Sequence, residues 1–122
     1  MKRTLFIVTL LLLLLTACSG RPRLIYQVSG PGERAQVAYR DFEGDLMIEI
    51  VELPWRYALR LDDPFSYEVS VEQLDGAGGI TCLIEIDGEE LGQVTGVNYA
   101  ECSGDYAEGV ATFRGRFDQR TE

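Results

Sequence analysis

Apolar and polar residues alternate along most of the chain beyond position 23, and the clearest stretch is "FSYEVSVE". Phe65, Tyr67, Val69 and Val71 fall on one side of it, and Ser66, Glu68, Ser70 and Glu72 on the other. A period of two is the mark of a strand buried on one face. "LIYQV" groups Leu24, Tyr26 and Val28 in the same way, and "AQVAYR" groups Ala35, Val37 and Tyr39. "LMIEIV" places Leu46, Ile48 and Ile50 together, and Tyr57, Leu59 and Leu61 oppose Arg56 and Arg60. Ile80, Cys82, Ile84 and Ile86 share a face, which points Cys82 into a core.

Turn signals punctuate these runs. Asp87-Gly88 lies between two strand-like segments and suits a two-residue hairpin turn in which both positions need positive φ. "SGPGE" (29–33), "DDP" (62–64) and "DGAGG" (75–79) mark further breaks. After Cys102, "SGDY" is read as a turn leading to a last strand, "VATFRGRF". Seven or eight short strands at this spacing predict a single antiparallel β-sandwich of immunoglobulin-like architecture. Trp55 precedes both Cys82 and Cys102 rather than lying between them, so the likeness to immunoglobulin domains is one of architecture only.

The N-terminus has a different pattern. Lys2 and Arg3 precede an apolar run from Leu5 to Leu15 broken only by Thr9, and small residues then lead to Cys18. This is the layout of a secretory signal. A helix over residues 4–17 would be about 21 Å long, short of a hydrocarbon core of roughly 30 Å. Leu15-Thr16-Ala17-Cys18 is similar to a lipobox, at which cleavage precedes an acylated cysteine. The expected organisation is a lipoprotein signal over 1–17, a lipidated tether over 18–23, and an extracytoplasmic sandwich over 24–122. An ordinary signal and a retained anchor are the alternatives. The expected location is the outer face of a cell membrane, held by lipid on Cys18.

Cysteine number fits this layout. Three cysteines leave an odd thiol in an exported protein; acylation of Cys18 accounts for it and leaves Cys82 and Cys102 to form a disulfide. Two separate buried thiols are the alternative. Loss of Lys2 and Arg3 reduces the eleven basic residues to nine against twenty acidic ones, a net charge of −11. Such a charge repels phosphate backbones, so nucleic acid is not an expected partner.

Catalytic groups are scarce. The chain has no histidine, and Lys2 is its only lysine, so neither a histidine-based triad nor a Ser-Lys dyad can be assembled in the mature chain. No enzyme, cofactor or metal centre is expected. "DFEGD" (41–45) and "DGEE" (87–90) cluster oxygen ligands but do not match a calcium loop, and solvated turns explain them better. Arg21 and Arg23 are placed to touch anionic headgroups or simply to serve as linker. Trp55 is expected in the core, with the Pro54-Trp55 pair as a candidate docking surface. Phe113 and Phe117, on what reads as an edge strand, carry the same two readings, because aromatics anchor interfaces.

The succession "YQVSG" (26–30), "AQVAY" (35–39), "LPW" (53–55), "GGITCLIEIDGEELG" (78–92) and "YAECSG" (99–104) resembles the MmpS family of small mycobacterial membrane proteins. The resemblance covers roughly residues 24–104. It implies an extracytoplasmic β-sandwich that serves as an accessory to an RND-type MmpL transporter in lipid or siderophore export. Family members keep a transmembrane helix where this chain has a short signal and lipobox. The expected function is therefore a non-enzymatic, lipid-anchored accessory or adaptor module. The alternative is a lipid- or small-molecule-binding envelope lipoprotein, which requires a cavity between the sheets.

Overall fold

The computed structural model describes residues 20–75 and 78–118, so Cys18 and its surroundings lie outside the described residues. Among the described residues ten strands run in chain order: β1 (Arg23–Ser29), β2 (Arg34–Arg40), β3 (Leu46–Glu52), β4 (Trp55–Arg60), β5 (Phe65–Gln73), β6 (Ile80–Ile86), β7 (Glu89–Gly96), β8 (Tyr99–Ala107), β9 (Val110–Ala111) and β10 (Arg114–Phe117). They form two antiparallel sheets, one ordered β4-β1-β6-β7 and the other β10-β8-β5-β2-β3, with β9 also paired to β8. The β-sandwich expected from the alternation is the fold.

The alternation sets the core directly. Leu24, Tyr26 and Val28 of β1, Ile80, Cys82 and Ile84 of β6, and Val37 and Val69 of the facing sheet are all at most 1% exposed. Cys82 on β6 and Cys102 on β8 are joined by a disulfide with Cα atoms 6.1 Å apart. It ties the two sheets together from opposite layers, as the cysteine arithmetic anticipated. Asp87 and Gly88 both have positive φ, 51° and 83°, in the turn between β6 and β7.

Three local expectations need correction. "SGDY" does not turn: Ser103 to Tyr106 are interior to β8. Gly104 sits there because a Cβ would collide with the carbonyl of Thr112 and the ring of Tyr67. The turn comes later, at Glu108-Gly109, whose φ values of 55° and 76° repeat the geometry of the Asp-Gly turn. "VATFRGRF" is two strands, β9 and β10, because Thr112 is drawn aside: its N–H donates to the Asp105 carbonyl at 2.9 Å, and its carbonyl accepts from the Tyr67 hydroxyl. Finally, Leu46, Ile48 and Ile50 do share a face of β3, but that face looks outward, with 46%, 62% and 63% exposure.

The fold also reaches closer to the N-terminus than position 24. Arg21 is ion-paired to Asp62, the Leu61 N–H donates to the Pro22 carbonyl at 2.8 Å, and the Arg23 N–H donates to Asp87 Oδ1 at 2.9 Å. Residues 21–23 are thus fastened to the sandwich.

Candidate functional site

The space between the sheets is occupied by side chains. At its lateral opening, beside edge strand β4, sits an aromatic group. Tyr39 lies 4.6 Å from Tyr57 and 5.0 Å from Trp55, centroid to centroid, and Tyr26 lies 6.2 Å from Tyr39. Each of these rings comes from an inward position of β1, β2 or β4, so the strand period itself gathers them. The Tyr39 hydroxyl donates to Glu49 Oε2 at 3.1 Å. Burial, reinforced by that carboxylate, pushes the Tyr39 phenol up to about 12. Tyr26 is moved further in the same direction, again chiefly by burial.

Trp55 is therefore half-buried against the core, while Pro54 beside it is exposed. Phe113 is also half-buried: its ring lies over Gly92 of β7, where an added Cβ would come within 2.6 Å. Phe117 is 50% exposed on β10. Trp55 and the two phenylalanines stand on opposite sides of the sandwich, β4 on one and β10 with β7 on the other. The four candidate docking residues do not form one surface. The apolar outer face of β3 was not singled out from sequence. Its only signal was that "LMIEIV" is apolar on both sides of the alternation.

Among the described residues, concavities of about 380, 520 and 330 Å³ open on the exterior. The first lies on the outer face of the larger sheet and is crossed by ion pairs: Arg40–Glu68 at 3.7 Å, Arg114–Asp105 at 3.2 Å and Arg116–Glu101 at 4.0 Å. The Ser66 hydroxyl donates to Asp105 at 2.7 Å and, with Arg114, holds that carboxyl below its ordinary value. The second is at the end where the chain enters, between Pro22, Ile86, Leu91 and Tyr106, with Asp87 and Glu90 on its rim. The third lies beside Glu33, Arg34 and Glu52.

In each acidic turn one aspartate is engaged by backbone N–H groups. Asp41 Oδ1 accepts from the N–H groups of Glu43 and Asp45 at 2.9 and 3.0 Å, and Asp87 Oδ1 is taken by the N–H of Arg23. Among the described residues no group of three or more His, Cys, Asp or Glu side chains could hold a metal ion. No helix among them is long and apolar enough to cross a membrane. No protein-family model matches the chain, and no curated protein matches it.

Proposed function

We propose that this chain is a lipid-anchored, extracytoplasmic accessory module that works by contact through its outer surface rather than by enclosing a ligand or by catalysis. The observation that carries the reading is the filled interior. Inward positions of the central strands β1, β2, β5, β6 and β8 are mostly occupied by side chains at or near zero exposure, and the concavities described lie outside with charged rims. A carrier of lipids or small apolar molecules needs an enclosed, mostly apolar pocket. A docking module needs exterior apolar surface, which β3 supplies at Leu46, Ile48 and Ile50.

The sequence adds the anchor and a class of partner. The leader ending in Leu15-Thr16-Ala17-Cys18 supports lipidation, and the short span from Cys18 to Arg21 would hold the sandwich against its membrane. The motif succession from Tyr26 to Gly104 supports an MmpS-like role beside an RND-type transporter in lipid or siderophore export. The test is co-purification from crosslinked membranes with the intact chain and with Cys18→Ala. Recovery of a transporter with the first and its loss with the second is the expected result. Recovery of no transporter with either would contradict the reading.

A further inference from the structure

Edge strands offer unpaired backbone groups, and proteins usually guard them with charges, proline or bulges. Three of the four edges here are guarded. β4 follows Pro54 and carries Arg56 and Arg60; β10 carries Arg114 and Arg116; β7 meets its neighbour through a register shift at Ile84/Glu85. β3 is different. Its pairing with β2 is unbroken from Arg34↔Glu52 to Arg40↔Leu46, and its outer face is aliphatic at Leu46, Ile48 and Ile50.

The direction of its free hydrogen-bonding groups follows from the two ends of the hairpin. The Asp41 N–H donates to the Asp45 carbonyl, and the Leu53 N–H donates to the Glu33 carbonyl. Both pairs belong to the β2–β3 register, and hydrogen-bonded pairs alternate along an antiparallel ladder. Met47, Glu49 and Val51 therefore bond to β2, which leaves the N–H and C=O groups of Leu46, Ile48, Ile50 and Glu52 directed out of the sheet. The same residues that expose apolar side chains expose the free backbone.

We propose that β3 pairs antiparallel with β3 of a second copy, about a two-fold axis at Ile48. In that register Ile48 faces its own equivalent and Leu46 faces Ile50 of the second copy, so every outward-facing pair is aliphatic. Met47 falls opposite Glu49, whose carboxylate is already engaged by Tyr39. Moving the axis to Glu49 would set two carboxylates against each other and Leu46 against Glu52. Moving it to Ile50 would set Ile48 against Glu52. Moving it to Met47 would set Asp45 against Glu49. The axis at Ile48 avoids both opposed carboxylates and an aliphatic residue against Glu52, and this self-complementarity favours a second copy over an unrelated strand. A stable interface takes about 800 Å² from each partner, more than three side chains and a short ladder provide, so the pair is weak and reversible. The surplus of carboxylates opposes it at long range, so added salt strengthens the pairing by screening like charges. Antiparallel pairing also puts the two Gly20 ends at opposite ends of the pair. On the anchored reading it joins copies held by facing surfaces rather than neighbours in one leaflet.

A covalent trap reads both the contact and its register. Directly opposed residues of a hydrogen-bonded pair have Cα atoms about 5.5 Å apart, within the range of about 4.4–6.8 Å that a disulfide spans. Ile50 and its equivalent are offset by four residues, about 14 Å at roughly 3.4 Å per residue. The full chain is solubilised in detergent, where no bilayer fixes orientation, and oxidised mildly, with wild type as the blank for linkage through Cys18. Ile48→Cys should give a disulfide-linked homodimer several-fold above the blank, with more in higher salt. Ile50→Cys alone should not, and Ile50→Lys added to Ile48→Cys should abolish the product. No dimer from Ile48→Cys, equal trapping at Ile50→Cys, or a mixed disulfide with another protein would overturn the proposal. Because Ile48 and Ile50 are exposed, none of these changes disturbs the core, and the wild-type and Ile50→Cys blanks separate linkage through Cys18 from linkage at β3.

Discussion

The hydroxyl of Tyr26 on β1 donates to the carbonyl of Arg40 on β2 at 2.9 Å, so a buried phenol in one sheet closes a backbone position in the other. The same oxygen accepts from the N–H of Glu68 on β5 at 3.2 Å. Tyr26 is fully buried, so water cannot replace either bond. Tyr26→Phe keeps the ring but leaves a carbonyl and an N–H without their partner. Losing partners of buried groups costs about 1–3 kcal/mol. Urea unfolding of the variant should show a loss of that size; a shift near zero would mean the sheets are not held together at this point.

The Cys82–Cys102 bond should be the largest single covalent contribution to stability. It closes a loop of sequence separation 20, which corresponds to about 3 kcal/mol in the chain-entropy picture. Unfolding with and without a reductant measures the difference directly. Thiol labelling of the denatured, unreduced chain should find neither cysteine reactive.

Phe113 and Gly92 form a second pair whose energetics can be separated. Gly92→Ala puts a methyl into the Phe113 ring and should cost about 1–3 kcal/mol by overpacking. In a Phe113→Ala background the same change should cost much less, since the space has been vacated. Additive losses in the double variant would show that the two residues do not contact each other in solution.

Stability should fall at both ends of the pH scale for different reasons. Asp118 accepts from the N–H groups of Tyr99 and Asn98 at 2.9 and 3.0 Å, which lowers its folded-state pKa below 3.8. A lowered acid contributes stability that is present above 3.8 and is lost as pH falls through the folded value. Tyr39 is raised from 10.0 to about 12, so its contribution is complete below 10.0 and is lost as pH rises towards about 12. The chain has no histidine to add a step near neutrality. Unfolding midpoints across pH should show Asp118→Asn flattening the acid limb only and Tyr39→Phe the alkaline limb only.

Most of the fold was legible because burial enforces alternation. Phe65, Tyr67, Val69 and Val71 read as core from sequence and are core. β3 was legible as a strand but not in its surroundings. Leu46, Met47, Ile48, Ile50 and Val51 are apolar on both sides of the pleat, and only the pairing with β2 reveals which side meets solvent. "SGDY" misled because glycine signals a turn as readily as a close approach, and here Gly104 makes room for Thr112 and Tyr67. Glu108-Gly109 went unnoticed because glutamate is an uncommon occupant of a positive-φ position. Trp55 is expected in the core from sequence and does rest against it, as Phe113 does, while Phe117 is 50% exposed; residue type alone does not separate the two phenylalanines.

The claim on which the account turns is that a solid sandwich is held to a membrane at Cys18 by the few residues before Arg21. Intact mass spectrometry of the native chain extracted from membranes tests it most directly. The expected species begins at Cys18 and carries the added mass of acyl chains. A species that retains Met1, or one with an unmodified cysteine at position 18, would contradict the account.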